Sequence, residues 1–512
     1  MNKIYNKTKM VVATLLSIST SLPLGGLGCA FTSCTDWSDH YDELPVQGSG
    51  QTVMQVLEQH VPDFASQVRE AGYADLLESS QSFTVFAPME TQDIADVHQM
   101  VSNHIARHVW PTSTQQTMGV EMLNGKIYEF DASDSFAGTA ISVGNKRADN
   151  GLVHLLHSPI IYVNNIYEHL QSNPQYTKVY NFIHQFDEIK FDLKASTEID
   201  IDEQGRPVYD SVMVAYNRLL EHPIYGLGAI DREDSVFTMV VPTNEAWDLA
   251  YKRIAPSFKV YDSDEHAADS LQDIRTCLAI MGNLIYRDTV PSFLQAGTTA
   301  VKASNGTILS TPTLNLVGSE TWNRPISVEA EQQNGRTYNN TLTSVYMRNI
   351  TAASQVEGVS GDSYIEVQPV SASTNPTVIF DMPGVLAGAY NIYAVFLPAT
   401  VEGPTAETDS TRISFTVTYL NTNGRTTSKR NTTKTLVTSG SKVTRMLAFE
   451  RLEIPVSNTT DRLWLMDETH DASSTSVTTQ LTITTNVTAK EFSSGELSRS
   501  FRLDRIVFEP VE

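Results

Sequence analysis

The chain has 512 residues, a formal net charge of −23, and 41% hydrophobic against 19% charged side chains. That composition is globular rather than disordered, and at roughly 100–200 residues per domain the length predicts about three domains. The acidic balance argues against nucleic acid or an anionic membrane surface as partner, and only Cys29, Cys34 and Cys277 occur, too few for a disulfide scaffold or a cysteine-built zinc site.

At the N-terminus, Lys3, Lys7 and Lys9 precede a mostly apolar run from Met10 to Leu22, and small residues follow up to Cys34. This order predicts a secretory signal over residues 1–33, too short in its apolar part to span a bilayer. Phe31-Thr32-Ser33-Cys34 resembles a bacterial lipobox, as does Gly26-Leu27-Gly28-Cys29, and Cys34 is preferred because Asp36, Asp39, Asp42 and Glu43 begin directly after it. The resemblance implies an acylated Cys34 and an acidic tether over 34–49. It also implies an outer-membrane lipoprotein facing the cell exterior, held to the membrane only by its lipid.

A duplication follows. Phe83-Thr84-Val85-Phe86-Ala87-Pro88 returns 154 residues later as Phe237-Thr238-Met239-Val240-Val241-Pro242, and Asn150-Gly151 returns 155 residues later as Asn305-Gly306. Each first landmark reads as a buried strand stopped by proline, each second as a tight turn into a strand, because Asn and Gly tolerate positive φ. Two landmarks at nearly one offset indicate duplicated domains. Helical periodicity over Val53, Val56, Leu57 and Val61, and over Trp247, Ala250, Tyr251 and Ile254, predicts accompanying helices.

These landmarks resemble the signatures of fasciclin (FAS1) domains, with Arg107-His108-Val109 similar to the family's Tyr-His block. The resemblance implies two fasciclin-like β-sandwich domains with flanking helices, over 50–170 and 171–325, used in adhesion and ligand binding without a general catalytic centre.

From Ile326 the helical period disappears. Ile413, Phe415, Val417 and Tyr419 alternate with polar residues, as do Leu463/Leu465 and Leu481/Ile483, which predicts an all-β sandwich or jelly roll over 326–512 and an α+β chain as a whole. Ile326–Glu331, Gly388–Tyr393 and Leu503–Phe508 resemble carbohydrate-binding modules of the galactose-binding-like type. Tyr338, Tyr346, Tyr364 and Trp464 are the candidate sugar-stacking rings, whereas Tyr390 and Tyr393 read as core. The resemblance further implies that the first and last strands lie side by side, bringing Glu329, Glu331 and Asp504 together around a structural calcium ion.

Other constellations carry less. His104 and His108 lack the glutamate of a zinc protease, and Asp200, Asp202 and Gly205 begin a calcium loop that has Ser211 at its twelfth place. A hairpin turning at Glu203-Gln204-Gly205 is expected there instead. His154 and His157 read as structural, and no nucleophile elbow or phosphate loop occurs. The expected function is non-catalytic glycan binding at the cell surface, as an accessory of polysaccharide uptake, with adhesion through protein partners as the alternative.

Overall fold

A computed structural model of the chain describes residues 50–511 apart from 91–95, 114–116, 132–133, 192–197, 202–206, 210–212, 352–355, 404–408 and 459–476. Cys34, Trp464, Leu463, Leu465 and the Glu203–Gly205 turn therefore lie outside the described residues. The architecture is α+β: two units of sheet with flanking helices, then an all-β sandwich.

In the first unit a Thr52/Gln55 capping box starts the helix Val53–His60, whose apolar residues Val53, Val56 and Leu57 are buried. Among the described residues seven strands form its sheet, with Phe83–Pro88 second from one edge, antiparallel to Ile105–Arg107 on one side and parallel to Gly151–Leu156 on the other. All six side chains of Phe83–Pro88 are buried, as expected for a strand covered on both faces, and the one polar residue, Thr84, is satisfied by the His108 carbonyl and the Trp110 amide.

The second unit repeats this frame. Phe237–Pro242 runs parallel to Gly306–Thr311 with Phe237 opposite Gly306, as Phe83 stands opposite Gly151. Asn and Gly have different duties at these corners. The glycines take φ of +154° and +147°, and a Cβ on either would lie 1.9 Å from the carbonyl oxygen of the facing phenylalanine. The asparagines act through their side chains. Asn150 accepts from the Val53 amide and donates to the Leu77 and Ser79 carbonyls at 2.7–2.8 Å. Asn305 does the same with the Ile166 amide and the Ile230 and Arg232 carbonyls at 2.7–2.9 Å. Each latch ties the first helix of its unit to the chain entering the proline-ended strand.

That equivalence corrects one boundary. Helix Ile166–Ser172 is the counterpart of Val53–His60, and Ile166 and Leu170 sit in the second core, so the second unit starts near Asn165 rather than 171. His104 and His108 differ in setting. His108 is exposed at φ +66°, whereas His104 is fully buried, with Nδ1 2.8 Å from the Met100 carbonyl and Nε2 accepting from the Ile160 amide at 3.0 Å. Burial holds His104 neutral, lowering it to about 4.

Between the units, Lys126 is buried with Nζ 2.7 Å from Glu168, 2.6 Å from Glu233 and 3.0 Å from Ser304 Oγ. The second unit also carries strands that the first lacks. Asp187–Phe191 pairs antiparallel with Met213–Asn217, and Glu198–Ile201 pairs antiparallel with Pro207–Tyr209.

The sandwich packs a six-stranded sheet on a five-stranded one. Phe501–Val511 lies in the larger sheet beside Ser363–Pro369 and Gly388–Leu397, with Ile326–Glu329 also paired to it. Ile413, Phe415, Val417, Leu481 and Ile483 of the smaller sheet meet Ile365, Phe396, Leu503 and Phe508 in one core. The sandwich docks on the second unit: Leu386 enters that core, and Arg275 Nη1 donates to Ser457 Oγ at 3.0 Å and the Asn458 carbonyl at 3.2 Å.

Candidate functional site

Strand alternation turns one face of the larger sheet away from the core, and that face gathers planar and charged side chains. Ile365 and Val367 point inward, so Glu366 between them points out, yet it is only 4% exposed because neighbours cover it. Arg348 binds Glu366 Oε2 through Nε at 3.0 Å and Nη2 at 2.7 Å, and Gln368 donates to Oε1 at 2.8 Å. Burial alone would raise the Glu366 carboxyl, but those bonds and the Arg502 charge hold it below its usual range. Arg502 bridges Glu366 at 3.5 Å to Glu402 at 2.7 Å. Tyr346 stands opposite Glu366, 44% exposed, with the Arg348 guanidinium 5.3 Å from its ring centre. Farther along, Arg445 lies 3.6 Å over the Tyr393 ring and 2.5 Å from Glu509.

At the edge where the first and last strands meet, Glu329 stands opposite Arg505 and the Ala330 amide bonds the Asp504 carbonyl at 2.8 Å. Asp504 is fully buried, its Oδ1 accepting from the Ser360 amide at 2.9 Å and its Oδ2 3.4 Å from Arg505. Ser360 Oγ donates to Glu329 Oε1 at 2.9 Å. Glu329 Oε2, Glu331 Oε2 and Asp504 Oδ2 are buried without a hydrogen bond. Burial pushes the Asp504 carboxyl up to about 6 against the Ser360 bond and the Arg505 charge, and the Glu329 and Glu331 charges push the same way as burial. The donor set is all oxygen, which suits a hard cation. Among the described residues, however, no three acidic, histidine or cysteine side chains stand close enough to hold one ion as placed.

Of the sugar-stacking candidates, Tyr346 and Tyr338 are exposed, at 44% and 40%. Tyr364 is not a loop ring. It lies on the strand Ser363–Pro369, 2% exposed, under Leu397 and Val401, because the turn Ala399–Glu402 roofs it. Tyr390 is core as expected, whereas Tyr393 faces outward beneath Arg445. Sequence reasoning missed Arg348, Glu366, Arg445 and Arg502. The signal was present in Tyr364-Ile365-Glu366-Val367-Gln368, where polar residues alternate with core ones.

The remaining candidates are structural. His154 stacks on Phe86 at 5.2 Å with Nε2 2.8 Å from the Trp110 carbonyl, and His157 is exposed just past its strand. Cys277 is buried, its thiol raised to about 12 by burial.

No protein-family profile matches the chain, and no curated protein matches it. Among solved structures it is similar to a FAS1 domain pair from the insect cell adhesion molecule Fasciclin I, at 12% identity and TM-score 0.19 over 51% of this chain and 99% of that one. It is also similar to the C-terminal family 22 carbohydrate-binding module of Clostridium thermocellum Xyn10B, at 12% identity and TM-score 0.22 over 37% of this chain and 92% of that one. Among the described residues no helix is long and apolar enough to cross a membrane.

Proposed function

We propose that the chain is a non-catalytic cell-surface protein that binds a neutral glycan on the outer face of its larger C-terminal sheet. The observation that carries this reading is the exposed Tyr346 ring beside the Arg348–Glu366–Arg502–Glu402 network. Sugar C–H groups stack on an exposed ring, and ring hydroxyls find donors and acceptors held in fixed positions beside it. Arg348, Arg445 and Arg502 are matched by Glu366, Glu402 and Glu509, so the face offers no net charge to a uronate. A glycan array on the full chain tests this: saturable binding to neutral polysaccharide is expected, and Tyr346→Ala should weaken it by at least about tenfold. Binding that Tyr346→Ala leaves unchanged would end the assignment to this face.

The same reading places calcium at Glu329, Glu331 and Asp504 as a structural ion that draws the three carboxylates together. It also places the protein on the outer membrane through a lipid on Cys34, as an accessory to polysaccharide uptake. Mass spectrometry of membrane-bound protein should show an acylated Cys34 as the first residue, and Cys34→Ala should release the protein. An unmodified Cys34 would remove the anchor from the proposal.

A further inference from the structure

The second unit carries a two-stranded ribbon, Asp187–Phe191 against Met213–Asn217, at a place where the first unit passes from its helices to Phe83–Pro88 without one. The fold closes its core without such an insertion, as the first unit demonstrates, so the ribbon serves something else. Among the described residues neither strand pairs with any other, and a lone two-stranded ribbon is marginal in water. One of its faces is apolar. Phe191 stands opposite Met213 and Ile189 opposite Ala215, and Ile189 and Met213 are 74% and 54% exposed.

This face runs into two adjoining clefts of about 470 and 430 Å³ that share Asn165, Glu168, Ala215 and Asp231. Their walls carry seven carboxylates and two cations, Lys126 and Arg232. Both cations already have acidic partners, Lys126 in Glu168 and Glu233 and Arg232 in Glu221, and Glu188 is engaged by Arg218, so Glu121, Asp231 and Asp234 carry the acidic charge that faces the opening. Glu121 and Asp234 are exposed at the rim. An apolar strip continuous with an acidic cleft is complementary to one kind of occupant.

We propose that this groove docks an extended, basic segment of a partner protein, in which lysine or arginine alternates with apolar residues. One side of such a strand covers Ile189 and Met213, and its cations enter the carboxylate-lined clefts. The surface is separate from the glycan face, so the inference stands whether or not that face binds sugar.

The test is fluorescence anisotropy on the full chain with a labelled decapeptide of alternating lysine and valine, against one of alternating glutamate and valine. Saturable binding of the lysine peptide alone is expected, weakening as salt screens the groove. Ile189→Ser with Met213→Ser should weaken it by at least about tenfold, and both side chains are exposed enough for the fold to survive. Glu121→Gln with Asp234→Asn should lower the affinity and flatten its salt dependence. Equal binding of the two peptides, no saturable binding, or indifference to the Ile189/Met213 change would overturn the proposal. So would a dimer of this chain that the same change dissolves, since the occupant would then be a second copy.

Discussion

Two sets of buried polar groups, one at the strand corners of the paired units and one at the Asp504 edge of the C-terminal sandwich, are treated in opposite ways. Asn150 and Asn305 are 7% and 1% exposed, and each side chain reaches three backbone partners. Lys126 is likewise buried with two carboxylates and a hydroxyl around its ammonium. In the sandwich, Asp504 is as deeply buried, yet it and the neighbouring glutamates each keep an oxygen without a hydrogen bond. A satisfied buried polar group fixes architecture, whereas an unsatisfied one costs free energy that something else must offset. At Asn150, Asn305 and Lys126 the buried group holds the fold, whereas at Asp504 its cost is not offset by a hydrogen bond to Oδ2.

The largest expected effect breaks the satisfied side of that comparison. Gly151→Ala or Gly306→Ala would set a methyl 1.9 Å from a carbonyl oxygen at a φ that favours glycine, and either should cost more than about 4 kcal/mol. Asn150→Ala orphans the Val53 amide and the Leu77 and Ser79 carbonyls and should cost about 3 kcal/mol, as should Asn305→Ala in its own unit. Denaturant unfolding measures both. A loss below about 1 kcal/mol at either asparagine would mean that the latches are not what joins helix to strand.

Local signals made much of this legible in the sequence. A mostly apolar run closed by proline marked Phe83–Pro88 and Phe237–Pro242, and the offset between Asn-Gly pairs marked the duplication. What Asn150 does was hidden, because its partners lie 97 and 73 residues away along the chain. The start of the second unit is hidden for the same reason: Ile166 declares its membership through Asn305, 139 residues on, and through the core it joins. Tyr364 sits in polar sequence but is covered by Leu397 and Val401, contacts that no local pattern announces. Glu366 shows the reverse case, where alternation was visible but its pairing with Arg348 and Arg502 needed the sheet order.

The smallest expected effect probes the unsatisfied side, and its sign is decisive. Asp504 is raised from 3.8 to about 6 in the folded protein. A carboxyl raised on folding leaves the native state most stable below its unfolded pKa, where it is protonated in both states, and that contribution is lost as pH rises through about 6. In chelator, then, the part of the unfolding transition that reports the sandwich should move to lower temperature between pH 4 and pH 7. Asp504→Asn should remove that slope, because an amide occupies the same space without a charge to bury. Calcium should restore stability at pH 7 in the parent chain and not in the variant, since an ion bound only by the folded state adds about 2.7 kcal/mol at a hundredfold excess over its dissociation constant. If calcium leaves the parent midpoint unchanged while the slope in chelator persists, the carboxylates are held by protons rather than by a metal, and the unpaired oxygens mark a pH-sensitive edge instead of an ion site.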